Sequence, residues 1–135
     1  KETAVMEFIE EVRLAINATM AAQVAKAEYT AQTGDISSTT IYTPTAAWYF
    51  RISVYLNCTA AGSAGSLAVV IGWTDDVGAK TASPAADVTL TNTANGSTGS
   101  AFIRSAASAI TFTATITGGA DNPAYSVRIV LEQIG

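Results

Sequence analysis

Residues Trp48 to Asn57, WYFRISVYLN, alternate without a break. Phe50, Ile52, Val54 and Leu56 fall on one side, and Tyr49, Arg51, Ser53, Tyr55 and Asn57 on the other. A period of two is what a β-strand with one face on a core produces. The second side carries two tyrosines beside a single charge, where a soluble monomer ordinarily places Lys, Glu and Asp. The strand therefore reads as covered on both faces, by its own core and by a partner subunit.

Composition points the same way. A chain of 135 residues suffices for one domain with a real core. Its charged fraction is 13%, against about 25% in ordinary globular chains. A small protein has much surface to cover, so a shortage of charge implies that some surface is hidden in an oligomer. With seven Lys and Arg and a net charge of -4, no basic stripe exists to neutralise phosphates, which excludes nucleic acid as a partner. No apolar run approaches the roughly 20 residues of a membrane-spanning helix, so no membrane insertion is expected. The chain begins at Lys1 without Met or a signal peptide and reads as a trimmed fragment or processed product.

Histidine is absent. That removes the commonest general base and metal ligand, and with it the Ser-His and Cys-His mechanisms. Cys58 is the single cysteine, so no intrachain disulfide can form, and it reads as a small buried hydrophobe. The expectation is a chain that is not an enzyme and needs no cofactor or metal.

Residues 1 to about 28 lack Gly and Pro and are rich in Ala, Glu, Gln and Met, which favours helix. Val5, Ile9, Val12 and Ile16 step by 4, 3 and 4, a coiled-coil seam that Met20 and Val24 continue by fours, with a stutter between. The segment either lies on its own domain or forms a parallel bundle between identical chains, and its narrow, terminal seam favours the bundle. The polar stretch TAQTGDISSTT, Thr30 to Thr40, then reads as a linker. Three parts follow: an N-terminal helix over 1–30, a linker over 31–40 and a β head over 41–135.

Running from the linker into the head, Ile36 to Tyr42 can form a first short strand before Pro44. Leu67, Val69, Ile71 and Trp73 alternate, as do Ile110, Phe112, Ala114 and Ile116 and finally Tyr125, Val127, Ile129 and Leu131. Val88 with Leu90, and Phe102 with Arg104, mark two further short strands. Loops are expected at AAGSAGS, TDDVGAK, NTANGSTGS and GGADNP. Seven or eight short strands with Gly-rich turns predict a mainly β, antiparallel jelly-roll sandwich behind the helix.

The run PTAAWYFRISVYL, Pro44 to Leu56, and the closing YSVRIVLEQIG resemble core strands of the complement-globular-head and tumour-necrosis-factor superfamily. Ala47-Trp48 stands where that family usually has Gly before its aromatic. The resemblance implies a jelly roll that trimerises about a three-fold axis, often behind a coiled-coil stalk. A short helix followed by such a head also resembles distal fragments of phage fibres. On that likeness the chain would be a homotrimeric structural or adhesion module of a virion surface, or extracellular, binding a host-surface glycan or protein. A soluble lectin-like protein of a cell is the alternative.

The candidate oligomer contacts are Val5, Ile9, Val12, Ile16, Met20, Val24, Tyr49 and Tyr55. Asp75 and Asp76, or Asp121 and Asn122, could offer oxygen ligands to a hard cation, although turn formation explains both pairs better. Trp73 beside a turn could stack on a sugar ring, though a core role at a strand end explains it better, and Asn95 lies in a glycosylation-like Asn-Gly-Ser. Trp73, Asp75, Asp76 and Asn95 are the candidate ligand contacts. Loops around Gly62, Asp76 and Gly96 are expected to share the exposed end.

Overall fold

The computed structural model describes residues 2–19 and 22–134, with helix side chains described for residues 3–11. A helix α1, Glu2–Thr19, leads into nine strands. These are β1 Ala22–Gln32, β2 Ile36–Tyr42, β3 Trp48–Ala60, β4 Ala64–Thr74, β5 Ala79–Ala82, β6 Val88–Thr89, β7 Gly96–Ser105, β8 Ile110–Ala120 and β9 Ala124–Gln133.

The strands form two antiparallel sheets, one ordered β1-β9-β3-β7 and the other β2-β8-β4-β5, with β6 also on β4. Pairing is nested from the chain ends inward: β1 with β9, β2 with β8, β3 with β7, and β4 with both β5 and β6. That nesting, rolled over two sheets, is a jelly roll. β5 and β6 follow one another along the free edge of β4, interrupted around Pro84. A broken edge strand with a proline offers a poor template for stray pairing.

The core lies between the sheets, where the predicted alternations meet. Phe50, Ile52, Val54 and Leu56 of β3 and Tyr125, Val127, Ile129 and Leu131 of β9 face Leu67, Val69 and Ile71 of β4 and Phe112 of β8. Each large side chain so buried contributes roughly 1.5–3 kcal/mol. Cys58 is buried as expected, its thiol donating to the Ala60 carbonyl at 3.3 Å.

Two boundaries differ from the expectation. The helix is predicted to about residue 28, yet residues 22–32 form β1; the short strand expected over Ile36 to Tyr42 is β2, so the linker expected over 31–40 shrinks to residues 33–35. In β1, Ala25, Ala27 and Tyr29 lie opposite Leu131, Ile129 and Val127, while Lys26 and Glu28 are exposed. Pairing with a central strand overrides the helix propensity of an alanine-rich segment. Val24 therefore leaves the helical seam: it is half-buried on β1 and packs against the core. The loop expected over Asn92 to Ser100 likewise ends at Gly96, where β7 begins and pairs with β3 as far as Asn57.

Candidate functional site

The outer face of the four-stranded sheet carries the molecule's most organised exposed side chains. Across β3 and β7, Tyr49 lies opposite Arg104, Arg51 opposite Phe102, Ser53 opposite Ser100 and Tyr55 opposite Thr98. On the other flank, β9 sets Glu132 beside Arg51, Val130 beside Ser53 and Arg128 beside Tyr55. The Tyr49 and Phe102 rings are stacked with nearly parallel planes, 8° apart with centroids 5.5 Å apart. The Arg104 guanidinium lies over the Tyr49 ring at 5.1 Å, a cation–π contact.

Charge pairs hold this stack in place. Arg104 Nε donates to Asp76 Oδ2 at 2.8 Å, and Asp76 belongs to the β4–β5 loop of the opposite sheet. The hydrogen bond and charge of Asp76 raise the Arg104 pKa above its ordinary value. Arg51 Nε and Nη2 donate to Glu132 Oε1 and Oε2, each at 3.0 Å, a bidentate fork that fixes both side chains. Phe102 remains 66% exposed, Tyr55 48% and Tyr49 40%. In this chain β3 is thus covered by its core on one side only.

The residues singled out in the sequence are scattered rather than gathered. Trp73 is half-buried against the core. Asp75 Oδ1 accepts from the Val77 and Gly78 amides at 2.8 and 3.0 Å and pairs with Lys80 at 3.4 Å. Those two amides, with Lys80 adding, hold the Asp75 carboxyl below the usual carboxylate range. Asn95 Nδ2 donates to the Thr89 carbonyl at 2.8 Å and closes its own turn. Asp121 and Asn122 adopt left-handed φ of 61° and 54° in the three-residue connection that carries the chain from β8 in one sheet to β9 in the other, a conformation that Asp and Asn tolerate better than most residues. Among the described residues no group of three or more Cys, Asp or Glu side chains is placed to share a metal ion.

Gly62 and Gly96 lie with the β1–β2, β3–β4, β6–β7 and β8–β9 connections, whereas Asp76 lies at the other end of the sandwich. The expected single loop cluster is therefore two. The Gly62 end also holds a cleft of about 330 Å³ lined by Gly34, Asp35, Asp121 and Asn122.

On α1, Val5 and Ile9 are 58% and 57% exposed, together with Met6 and Phe8. Val12 and Ile16 lie on the helix with their side chains outside the described residues, and Met20 lies outside them altogether. No helix is long and apolar enough to cross a membrane.

Sequence reasoning passed over Phe102, Arg104 and the Arg51–Glu132 pair as site residues. One signal was present in AFIRS: adjacent Phe102 and Ile103 cannot both face the core of a strand, and Ile103 is the buried one. The pairings of Arg104 with Asp76 and Arg51 with Glu132 span 28 and 81 residues and had no local signal.

No protein-family model matches the chain, and no curated protein matches it in sequence. Solved structures do match in fold. A chain of the acidic-stable capsid of Helicobacter pylori bacteriophage KHP30 is 17% identical with a TM-score of 0.50, over 85% of this chain and 92% of that one. A chain of the T13 particle of infectious bursal disease virus is 14% identical with a TM-score of 0.52, over 84% of this chain. This chain spans 32% of that viral chain. The C-terminal domain of the sugar-binding protein EclA aligns with a TM-score of 0.47 at 14% identity, over 82% of this chain and 79% of that one. The two viral likenesses share the jelly-roll sandwich with this chain as a fold.

Proposed function

We propose that the chain is a non-enzymatic structural module of a virion surface, a jelly-roll head that assembles as a homotrimer through parallel α1 helices and attaches to a host surface. The observation that carries this reading is the exposed apolar surface of α1. Val5, Met6, Phe8 and Ile9 span an arc of about 160° at 3.6 residues per turn. The sandwich leaves all four more than half exposed. An apolar face of that kind is stable in water only when covered. A helix in a trimer touches two neighbours and buries a wider arc than a helix in a dimer, which favours three copies. The trimer implied by the tumour-necrosis-factor-like resemblance agrees with that number, and a jelly roll matching phage and virus capsid chains supports the virion setting. Three heads on one stalk would convert weak surface contacts into avid ones.

Light scattering on the full chain and on a chain beginning at residue 22 tests the assembly. The cut belongs there because removal to residue 30 would delete most of β1. The expected masses are three chains and one chain. A single-chain mass for the intact protein overturns the reading. A trimer that survives the cut moves assembly from the helix to the head.

A further inference from the structure

The outer face of the four-stranded sheet has a chemistry distinct from that of the helix. Three of its four cations are matched, Arg51 by Glu132, Arg104 by Asp76 and Lys26 by Glu28 at 3.8 Å, whereas Arg128 is exposed farther along beside Tyr55. Around Phe102 a phosphate or an acidic polymer would have to break the Arg51 and Arg104 pairs, so that part of the face is not built for an anion. Between the pairs stands Phe102, two-thirds exposed, its ring supported by Tyr49, which is itself held by Arg104. An aromatic ring supported in this way keeps its orientation and presents a flat, apolar, electron-rich surface at little entropic loss.

We infer that Phe102 is a stacking platform for a neutral pyranose, with the Arg51–Glu132 fork gripping the sugar's hydroxyl edge. This names the ligand class and the site for the host attachment proposed above and rests on that part of the reading. A pyranose carries C–H bonds on one face, which suit the open side of Phe102, and hydroxyls around its rim. Arg51 lies directly opposite Phe102 across β3 and β7, and Glu132 directly opposite Arg51. In the fork Arg51 engages Nε and Nη2, leaving Nη1 as a donor, while each Glu132 oxygen keeps a lone pair as an acceptor. A planar pair that both donates and accepts, fixed beside an aromatic ring, is complementary to adjacent hydroxyls.

From there Ser53, Ser100 and Thr98 lead along the sheet to Tyr55. Tyr55 stands four residues from Arg51 on the same strand, roughly 13 Å away at the rise of a β-strand. That length suits a short oligosaccharide stretched between the two rings. The face is an open surface rather than a cavity, as attachment to a glycan chain projecting from a cell requires. A protein partner fits it less well, because the core of an obligate interface is apolar and depleted of charge, whereas this face mixes serines, a threonine and ion pairs.

The experiment is a printed array of neutral and anionic oligosaccharides, probed with the labelled full chain and with Phe102→Ala, Phe102→Trp and Arg51→Ala. Phe102 is largely exposed, so melting temperatures should confirm that its variants fold. Neutral pyranosides should bind the parent protein and Phe102→Trp, with a loss of about tenfold or more in Phe102→Ala, the scale set by one aromatic contact. Arg51→Ala should bind the same sugars more weakly and with less discrimination between epimers. Binding unchanged in Phe102→Ala overturns the platform while leaving attachment elsewhere on the head. Binding confined to anionic sugars, or to none, also overturns it. Light scattering on Phe102→Ala supplies the remaining outcome: a fall in assembled mass assigns the face to a second copy and overturns the sugar site.

Discussion

Tyr125 shows how one residue ties the sandwich together and makes its stability depend on pH. It opens β9 facing inward, fully buried, and its hydroxyl donates to the Gly34 carbonyl in the β1–β2 connection at 2.6 Å. Burial, reinforced by the nearby Asp35 carboxylate, pushes its pKa up to about 12 from 10.0. Below pH 10 the phenol is protonated in both folded and unfolded chains and contributes no slope. Above that, the unfolded chain releases its proton first, so the folded state binds more protons and stability falls as pH rises from about 10 to about 12. Urea unfolding from pH 8 to 11.5 should show that decline, and Tyr125→Phe should flatten it relative to the parent. Equal slopes for the two proteins would remove Tyr125 as the cause. At neutral pH the same variant should lose about 1 kcal/mol with its hydrogen bond.

The elements that could be read in the sequence are those whose two faces differ strongly. β3, β8 and β9 alternate large apolar side chains with polar ones, so their inward residues were evident from period alone. β1 was hidden because Ala25 and Ala27 are small and helix-favouring; only their position opposite Leu131 and Ile129 packs them, half-buried, against the core. β7 was hidden for a related reason. Its first half, GSTGS, has turn composition, yet Gly99 lies opposite Val54 where the chain around Pro84 passes close by. A Cβ at Gly99 would run into the Pro84 carbonyl oxygen and lie 2.7 Å from its carbon. The glycine there serves close packing, which composition cannot distinguish from a turn. Gly99→Ala should therefore destabilise the protein by about 2–3 kcal/mol, the range for overpacking against backbone. Gly34→Ala, with nothing within 4 Å, should stay within about 0.5 kcal/mol. Comparable urea midpoints for the two variants would mean that the approach of the β5–β6 connection to β7 gives way without strain. The aromatic patch was legible only in part: Tyr49 and Tyr55 stood out against the shortage of charge, while the partners that fix Tyr49 come from distant strands.

At the scale of the whole molecule, the chain divides its apolar surface between two separate jobs. The sandwich satisfies itself: nineteen of the described residues form one buried core cluster, including the whole inward row of β3. The helix does not, since Val5, Met6, Phe8 and Ile9 all face solvent. If the helices bundle, stability of the stalk must depend on protein concentration while stability of the head need not, because mass action acts only on what association buries. Replacing Val5 and Ile9 together by Glu places two charges at the centre of the exposed stripe, where burying them unpaired is strongly unfavourable. The double variant should scatter as a single chain and lose helical signal, as expected for an isolated 18-residue helix. Its β-sheet melting temperature should change little, because neither side chain packs on the sandwich. A sheet transition that collapses along with the helix would instead couple the two parts, making the stalk a requirement for the head's stability and not merely the means of gathering three heads.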